Sequence, residues 1–440
     1  MTVGSTPDSK KNLDAGGAGG AGNAGSGGDA GAGAKRAAMS ALLRNPNYLS
    51  VWALGVLTGF TRWFQLLALG VYTFEITGSP LLVAIVPILW GLPLALCGPI
   101  IGGIADRVNR QLLLSISIVM ILLVAVTMAS LAYANSLTVT HIFIASVISG
   151  LFWATDMPVR RRLVGDVAGD ALAMAMGFDA ASNSATRMLG PLLGGVTLQL
   201  VGITGVFVLS AALYSASLAL IVMTRLPASG GRTAKTALVN DLIAGIQFVL
   251  RNWELRRVLA VTIVFNVFGF PFNSMIPILG KERLGLDPFQ VGLLSSLEGL
   301  GAFLGAMIIA VYATQINFAR IFLWGSGLYL GLIFYLGVLS FVAGGPHHSF
   351  IAAILSLTAM GLAGACFGTM QSTMTYMGTQ PAYRSRVFGV LALCIGTGPI
   401  GLLNVGWMAE SYGVPMALVV MSAEGLFAFL LLWLYGVLHR

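Results

Sequence analysis

Charge is what this 440-residue sequence has least of. Asp, Glu, Lys and Arg together make 9% of it, where a soluble domain carries roughly 25%. Too few charges exist to cover a water-soluble fold of this size, which argues against a soluble enzyme. Cysteine is scarce as well. Cys97, Cys366 and Cys394 all lie in apolar runs, without CxxC or Cys/His spacing. No disulfide frame, zinc site, other metal or cofactor is inferred. There is no GxSxG elbow, no HExxH and no nucleotide-binding loop, which speaks against an enzyme and against a primary pump. The N-terminus lacks the apolar core of about 7–15 residues that a signal peptide needs. Residues 14–34 read DAGGAGGAGNAGSGGDAGAGA, almost without side chains that bury apolar area. Residues 1–37 are therefore expected to form a disordered cytoplasmic tail.

What the sequence has is apolar runs of the length that crosses a bilayer core. Polar breaks divide them into twelve expected helices: 48–75, 80–104, 111–134, 138–158, 171–200, 204–224, 257–280, 288–312, 320–343, 349–376, 388–410 and 414–437. Placing the N-terminus in the cytoplasm puts 20 of the 24 basic residues on that side. Only Lys281 and Arg283 fall outside, while Arg62 and Arg187 lie within spans. The formal charge of +8 thus reflects topology and calls for no nucleic acid. An even span number with both termini cytoplasmic, in a multi-pass cell (inner) membrane protein, follows. One long connection, 225–256, separates residues 38–224 from 257–440. Within it, NDLIAGIQFVLRNWELRR has the pattern of an amphipathic helix, with Leu242, Ile246, Val249 and Leu250 able to share a face on the inner membrane surface.

A shift of 208 residues brings three places into register. Pro80 meets Pro288, Asn109 meets Asn317, and Gly190–Pro191 meets Gly398–Pro399. One offset held through four spans points to two parallel six-helix halves, with a substrate site between them near mid-membrane.

The loop after the second span reads 102-GGIADRVNR-110. Gly102 permits close helix approach. Asp106 can cap a neighbouring helix, and Arg107 and Arg110 can pair with an acid such as Asp156 near the same surface. The fifth span, 177-GFDAASNSATRMLGPLLGG-195, places Gly177, Gly190, Pro191, Gly194 and Gly195 where glycines allow close packing and proline bends the helix. The bland alternatives are topological charge for the first stretch and ordinary small-residue packing for the second. The first stretch resembles the G-x-x-x-D-R-x-x-R signature of the major facilitator superfamily. The second resembles its antiporter motif, with Thr186 standing at a position usually glycine. Together with 75-EITGSP-80, 155-TDMPVRRRLVGDV-167 and 384-RSRVFGV-390, they resemble the drug–proton antiporter branch over residues 44–436. The resemblance implies an all-α membrane protein of twelve transmembrane helices in two six-helix halves, with proton-driven export by alternating access. This branch commonly has an acid where Arg62 stands, so its coupling scheme does not carry over whole.

Charges within a bilayer are costly and mark function. Thr58, Arg62 and Gln65 form one polar stripe on the first span. Asp179, Asn183 and Arg187 form another on the fifth, and Glu298 lies in the eighth. Arg62, Asp179, Arg187 and Glu298 are the candidate coupling charges, and Gly102, Asp106, Arg107, Arg110 and Asp156 the candidate latch. Gln65, Trp153, Asn266, Phe270, Asn273, Met370 and Gln371 are candidates for the cavity wall, where aromatic and Met side chains suit amphipathic substrates. Glu424 reads as structural, and His347–His348 as a solvated loop pair. The expected partners are a small-molecule substrate, protons and the lipid bilayer, with a monomer as the working unit. An importer or lysolipid flippase on the same fold is the alternative reading, and a membrane-embedded enzyme or receptor the more distant one.

If the 102–110 stretch latches one conformation, Asp106→Asn reduces transport and leaves substrate binding largely intact. Transport and binding assays on one membrane preparation check this; equal loss of both contradicts the latch.

Overall fold

The computed structural model describes residues 39–105, 108–224, 238–312, 317–342 and 346–438. The N-terminal tail, Asp106, Arg107 and the 225–237 stretch of the linker lie outside the described residues. Among those described there is no strand. Ten helices among the described residues are long and apolar enough to cross a membrane. Helix is what such sequences must form in lipid, because backbone N–H and C=O groups find no water there.

Helix α1, Pro46–Thr77, begins where Asn45 accepts hydrogen bonds from the backbone N–H groups of Asn47 and Tyr48, at 3.1 and 3.4 Å, with Pro46 in the first position. It ends at Gly78, whose φ of 65° stops the helix without a side-chain clash. Helices α2, Pro80–Ala105, α3, Arg110–Tyr133, and α4, Val139–Ala168, follow. Helix α5, Leu172–Met223, has 52 residues. At 1.5 Å per residue that is about 78 Å, more than twice a ~30 Å bilayer core. Gly202, at φ 71° and ψ −172°, breaks it into two arms. Asn183 on one arm bonds Arg62, and Ser210 on the other bonds Gln65, so the arms run side by side along α1.

Helix α6, Leu238–Arg251, lies in the linker. The next span is interrupted: α7, Trp253–Val264, a π-type turn at Phe265–Gly269, α8, Phe272–Ile278, and a second such turn at Leu279–Arg283. Pro271, at the head of α8, and Pro277 within it withhold backbone donors there. Helices α9, Pro288–Tyr312, α10, Phe318–Val342, and α11, Pro346–Met377, are continuous. His347 and His348, expected in a loop, fall in the first turn of α11. Helices α12, Arg384–Ile395, α13, Gly398–Tyr412, and α14, Val414–Leu438, complete the chain.

The linker helix exists, and two of its four expected apolar residues, Leu242 and Val249, pack on α12. Val249 is buried with Val387 and Leu391 of α12, and Phe248 stacks on Tyr383 with ring centroids 4.6 Å apart. A Cβ on Gly245 would lie 2.7 Å from the Arg386 carbonyl oxygen. Ile246 and Leu250 remain exposed. The helix therefore docks on the start of α12 through its Gly245–Val249 edge.

Among the helix contacts that join the halves, two are built on small residues at close approach. In one, α5 meets α9: a Cβ on Gly292 would lie 3.1 Å from the Gly195 Cα. In the other, α13 meets α2: a Cβ on Gly406 would lie 2.8 Å from the Ala84 Cβ. The 208-residue shift carries Ala84 onto Gly292, so the contacts use equivalent positions on α2 and α9, while Gly195 and Gly406 fall about one helical turn apart under the same shift. The register points agree in part. Pro80 and Pro288 both open helices. Gly190–Pro191 sits within α5, whereas Gly398–Pro399 opens α13 after a break. Polar contacts also join the halves at the face carrying Gly78 and Gly202. Glu410 accepts from the Ser79 hydroxyl (2.7 Å) and the Leu81 N–H (3.3 Å). Gln199 accepts from the Phe289 N–H at 3.0 Å, and Lys281 pairs with Glu75.

Gly194 packs within one half, its notional Cβ 2.6 Å from the Phe64 carbonyl oxygen. Overpacking of this kind costs about 1–3 kcal/mol. Gly194→Leu is expected to lower the thermal midpoint in detergent. Gly292→Leu, which wedges the halves, is expected to cut transport at least about tenfold in protein that still inserts. Normal transport by Gly292→Leu would show that the halves need not meet there.

Candidate functional site

Two cavities hold the intramembrane charges. The first lies within the first half, among α1, α2, α4 and both arms of α5. Its empty volume is about 530 Å³, and Arg62, Asp156, Arg160 and Asp179 line it with Trp90 and Trp153. The second, of about 820 Å³, lies between the halves and is lined mainly by apolar side chains. Trp63, Phe270 and Asn273 line it together with Arg187 and Glu298.

In the first cavity Arg160 is the organising cation. Its guanidinium bonds Asp156 at 3.4 Å, one helical turn away on α4, and also bonds Asp179 on α5. Arg161 approaches Asp179 at 3.8 Å. A Cβ on Gly55 would lie 2.8 Å from the Arg160 Cζ, so the missing side chain on α1 makes the room for this group. Arg62 is placed differently. It donates to the Asn183 side-chain oxygen at 2.7 Å. Its Cζ lies 5.0, 5.4 and 6.0 Å from the ring centroids of Trp63, Trp153 and Trp90. Trp90 and Trp153 stack at 4.5 Å. Gln65 also lines this cavity and donates to Ser210 at 2.7 Å.

In the second cavity Arg187 of α5 donates to both oxygens of Glu298 of α9, at 2.9 and 3.1 Å. The Glu298 side chain is 6% exposed and that of Arg187 35%, so the acid is buried while the guanidinium borders the cavity, and the pair crosses the halves. Trp63 links the cavities: the Arg187 Cζ lies 5.6 Å from the same indole that Arg62 faces. Asn273 donates to the Phe270 carbonyl oxygen at 3.2 Å and meets the Tyr329 hydroxyl at 3.4 Å.

The other expected residues separate. Asn266 donates to the Thr262 carbonyl and Gln371 to the Thr262 hydroxyl, both buried. Met370 is 2% exposed within the apolar core. These three border neither cavity. Of the expected latch, Gly102 lies in the backbone of α2, and Asp106 and Arg107 fall outside the described residues. Arg110 pairs with Asp166 at 2.6 Å and Asp156 with Arg160, so these two do not pair with each other. Gly190 and Gly194 face Trp63 and Phe64 of α1, and Pro191 and Gly195 face α9. Gly177 has open space beside it. Sequence reasoning missed Trp63 and Trp90 as neighbours of Arg62, although Trp63 adjoins it in the chain. It also missed the cross-half capping by Glu410 and Gln199, which carries no sequence pattern.

A family model described as transmembrane secretion effector, of the major facilitator type, matches residues 37–439. The chain belongs to this family. Transmembrane secretion effectors of this kind are transporters, so this chain is a transporter and not an enzyme. It is 21% identical to macrolide efflux protein A of Streptococcus pyogenes, over 83% of this chain and 90% of that one. It is 24% identical to the multidrug efflux pump Tap of Mycolicibacterium fortuitum, over 87% and 94%. It is 20% identical to the staphyloferrin A transporter of Staphylococcus aureus, over 75% and 81%. Among solved structures, a mutant form of the nucleoside transporter NupG superposes with a TM-score of 0.71 at 15% identity, covering 88% of this chain and 99% of that one. An inward-facing bacterial homologue of the lysosomal transporter Spinster gives 0.66 at 17% identity, covering 90% and 95%. These likenesses show the major facilitator fold.

Removing a partner from a buried ion cluster leaves an uncompensated charge and costs about 3–5 kcal/mol. Arg160→Leu strands two carboxylates and is expected to lower the thermal midpoint sharply; Asp156→Asn in the same chain recovers part of the loss. A midpoint unchanged in Arg160→Leu would show that the cluster carries no stability.

Proposed function

We propose that this transporter exports an amphipathic small molecule in exchange for protons by alternating access. The observation that carries the reading is the Arg187–Glu298 pair, which joins the two halves beside a cavity lined mainly by apolar side chains. The efflux proteins among its relatives support the direction. The reading takes the break at Gly202 and the interrupted span from Trp253 to Arg283 as parts of a twelve-crossing chain in two six-helix halves. It places both termini in the cytoplasm of a multi-pass inner-membrane protein that works as a monomer.

Exchange requires that the empty transporter stay on one side until it is loaded. With Glu298 ionised, its pair with Arg187 ties α5 to α9 at low dielectric, where Coulomb attraction is strong. A proton on Glu298 neutralises one partner, and a substrate in the cavity competes for the other. Either cargo releases the tie, and the empty carrier holds it. Two arrangements of the halves biased by one charge pair are a known form of switch.

Glu298→Gln mimics the protonated acid. It is expected to lose proton-driven efflux, measured as uptake into inside-out vesicles, and to keep gradient-free counterflow. Proton-driven uptake at the normal rate in Glu298→Gln ends the proposal.

A further inference from the structure

Arg62 lies in the other cavity, and the exchange scheme gives it no task. Its guanidinium lies beside Trp63, Trp153 and Trp90 at 5.0, 5.4 and 6.0 Å. Among the described residues no carboxylate lies within ion-pair distance of it. Its one hydrogen-bond partner is the neutral Asn183 oxygen, and its buried Nε has none. The two nearby carboxylates, Asp156 and Asp179, are held by Arg160, with Arg161 also against Asp179. The cavity lining thus carries two guanidiniums and two carboxylates, but Arg160 holds both carboxylates, and Arg62 is left without an acidic partner.

We infer that Arg62 is the anchor for an anionic group of the substrate, and that the substrates are amphipathic acids rather than cations. The inference rests on the exporter reading and names the substrate class for it. Tryptophan faces attract cations. Here that place is already filled by the protein's own guanidinium, so a cationic ligand meets an occupied cage and the repulsion of the unpaired Arg62. A carboxylate or catecholate meets the reverse. It gains a charge-assisted, fork-shaped partner in Arg62. The free Asp156 Oδ1 adds one acceptor for a ligand hydroxyl. Asn183 and the three rings fix the guanidinium's position, so little ordering is left for the ligand to impose.

The test uses two probes of matched shape and opposite charge, 1-naphthoate and 1-naphthylmethylammonium. Calorimetry on the purified full chain in detergent, near neutral pH and without a gradient, gives the ratio of their dissociation constants. Wild-type protein is expected to favour the naphthoate by about tenfold or more, the lower end of what a charge-assisted hydrogen bond supplies. Arg62→Gln should bring the ratio near one, and Arg62→Glu should reverse it. Arg62→Lys keeps the charge and should keep most of the preference, which separates loss of charge from loss of fold. Equal binding, tighter binding of the ammonium, binding of neither probe, or an unchanged ratio in Arg62→Gln overturns the anion site. Uptake of 1-naphthoate into inside-out vesicles reads the exporter proposal separately. A naphthoate preference without uptake contradicts export and leaves the anion site standing.

Discussion

A charge inside the bilayer core is costly unless it is paired, and that constraint organises this transporter. Three guanidiniums and three carboxylates line the two cavities: Arg62, Arg160 and Arg187 with Asp156, Asp179 and Glu298. Bringing them together requires helices that approach closely, and small residues make the approach possible. Gly55 leaves room for Arg160 on α1, and Gly195 and Gly292 bring α5 to α9. The ion pairs and the small residues are thus one design. The glycines set the distances, and the charges make those distances worth keeping. Arg160 stays within its own half, where its two carboxylates hold α4 to α5. Arg187 reaches across to Glu298 and holds half to half. The first arrangement suits permanence and the second suits release.

The face carrying Gly78 and Gly202 is closed by a second, more polar set of contacts. Glu410 caps the start of α2, and Gln199 accepts from the first turn of α9. In each case a helix N-terminus in one half is met by a side chain from the other, so unsatisfied backbone donors supply the adhesion. Such bonds exchange readily with water, whereas Glu298 is buried against Arg187. In the proposed exchange that pair is the point of control.

Much of this was legible in the sequence. Spacing placed Thr58, Arg62 and Gln65 on one face of α1 and Asp179, Asn183 and Arg187 on one face of α5, because the helical period alone decides that. The fold class followed from apolar runs and from motif resemblance. The glycine missing at Thr186 is explained by the partner helix: a Cβ on Gly59 would lie 3.0 Å from the Thr186 hydroxyl oxygen, so α1 supplies the small residue instead. What sequence could not give was which faces meet. Gln371 and Asn266 read as cavity residues because they are polar within apolar spans, yet both turn to Thr262 in the core. Asp156 pairs with Arg160 on its own helix, one turn away, where a loop partner was expected. The docking of α6 on α12 was not legible because Gly245, which has no apolar side chain to count, is the point of closest approach.

The central claim is that ionised Glu298 ties the halves and that its proton releases them. Spin labels at Ile76 and Tyr412, exposed ends of α1 and α13 on opposite halves, report the separation directly by pulsed electron resonance. The three native cysteines are replaced first. In substrate-free protein at alkaline pH the account predicts one short distance, with a longer one growing in as the pH falls. Glu298→Gln should show both distances at every pH. A Glu298→Gln protein that keeps the full pH response of the parent would contradict the account.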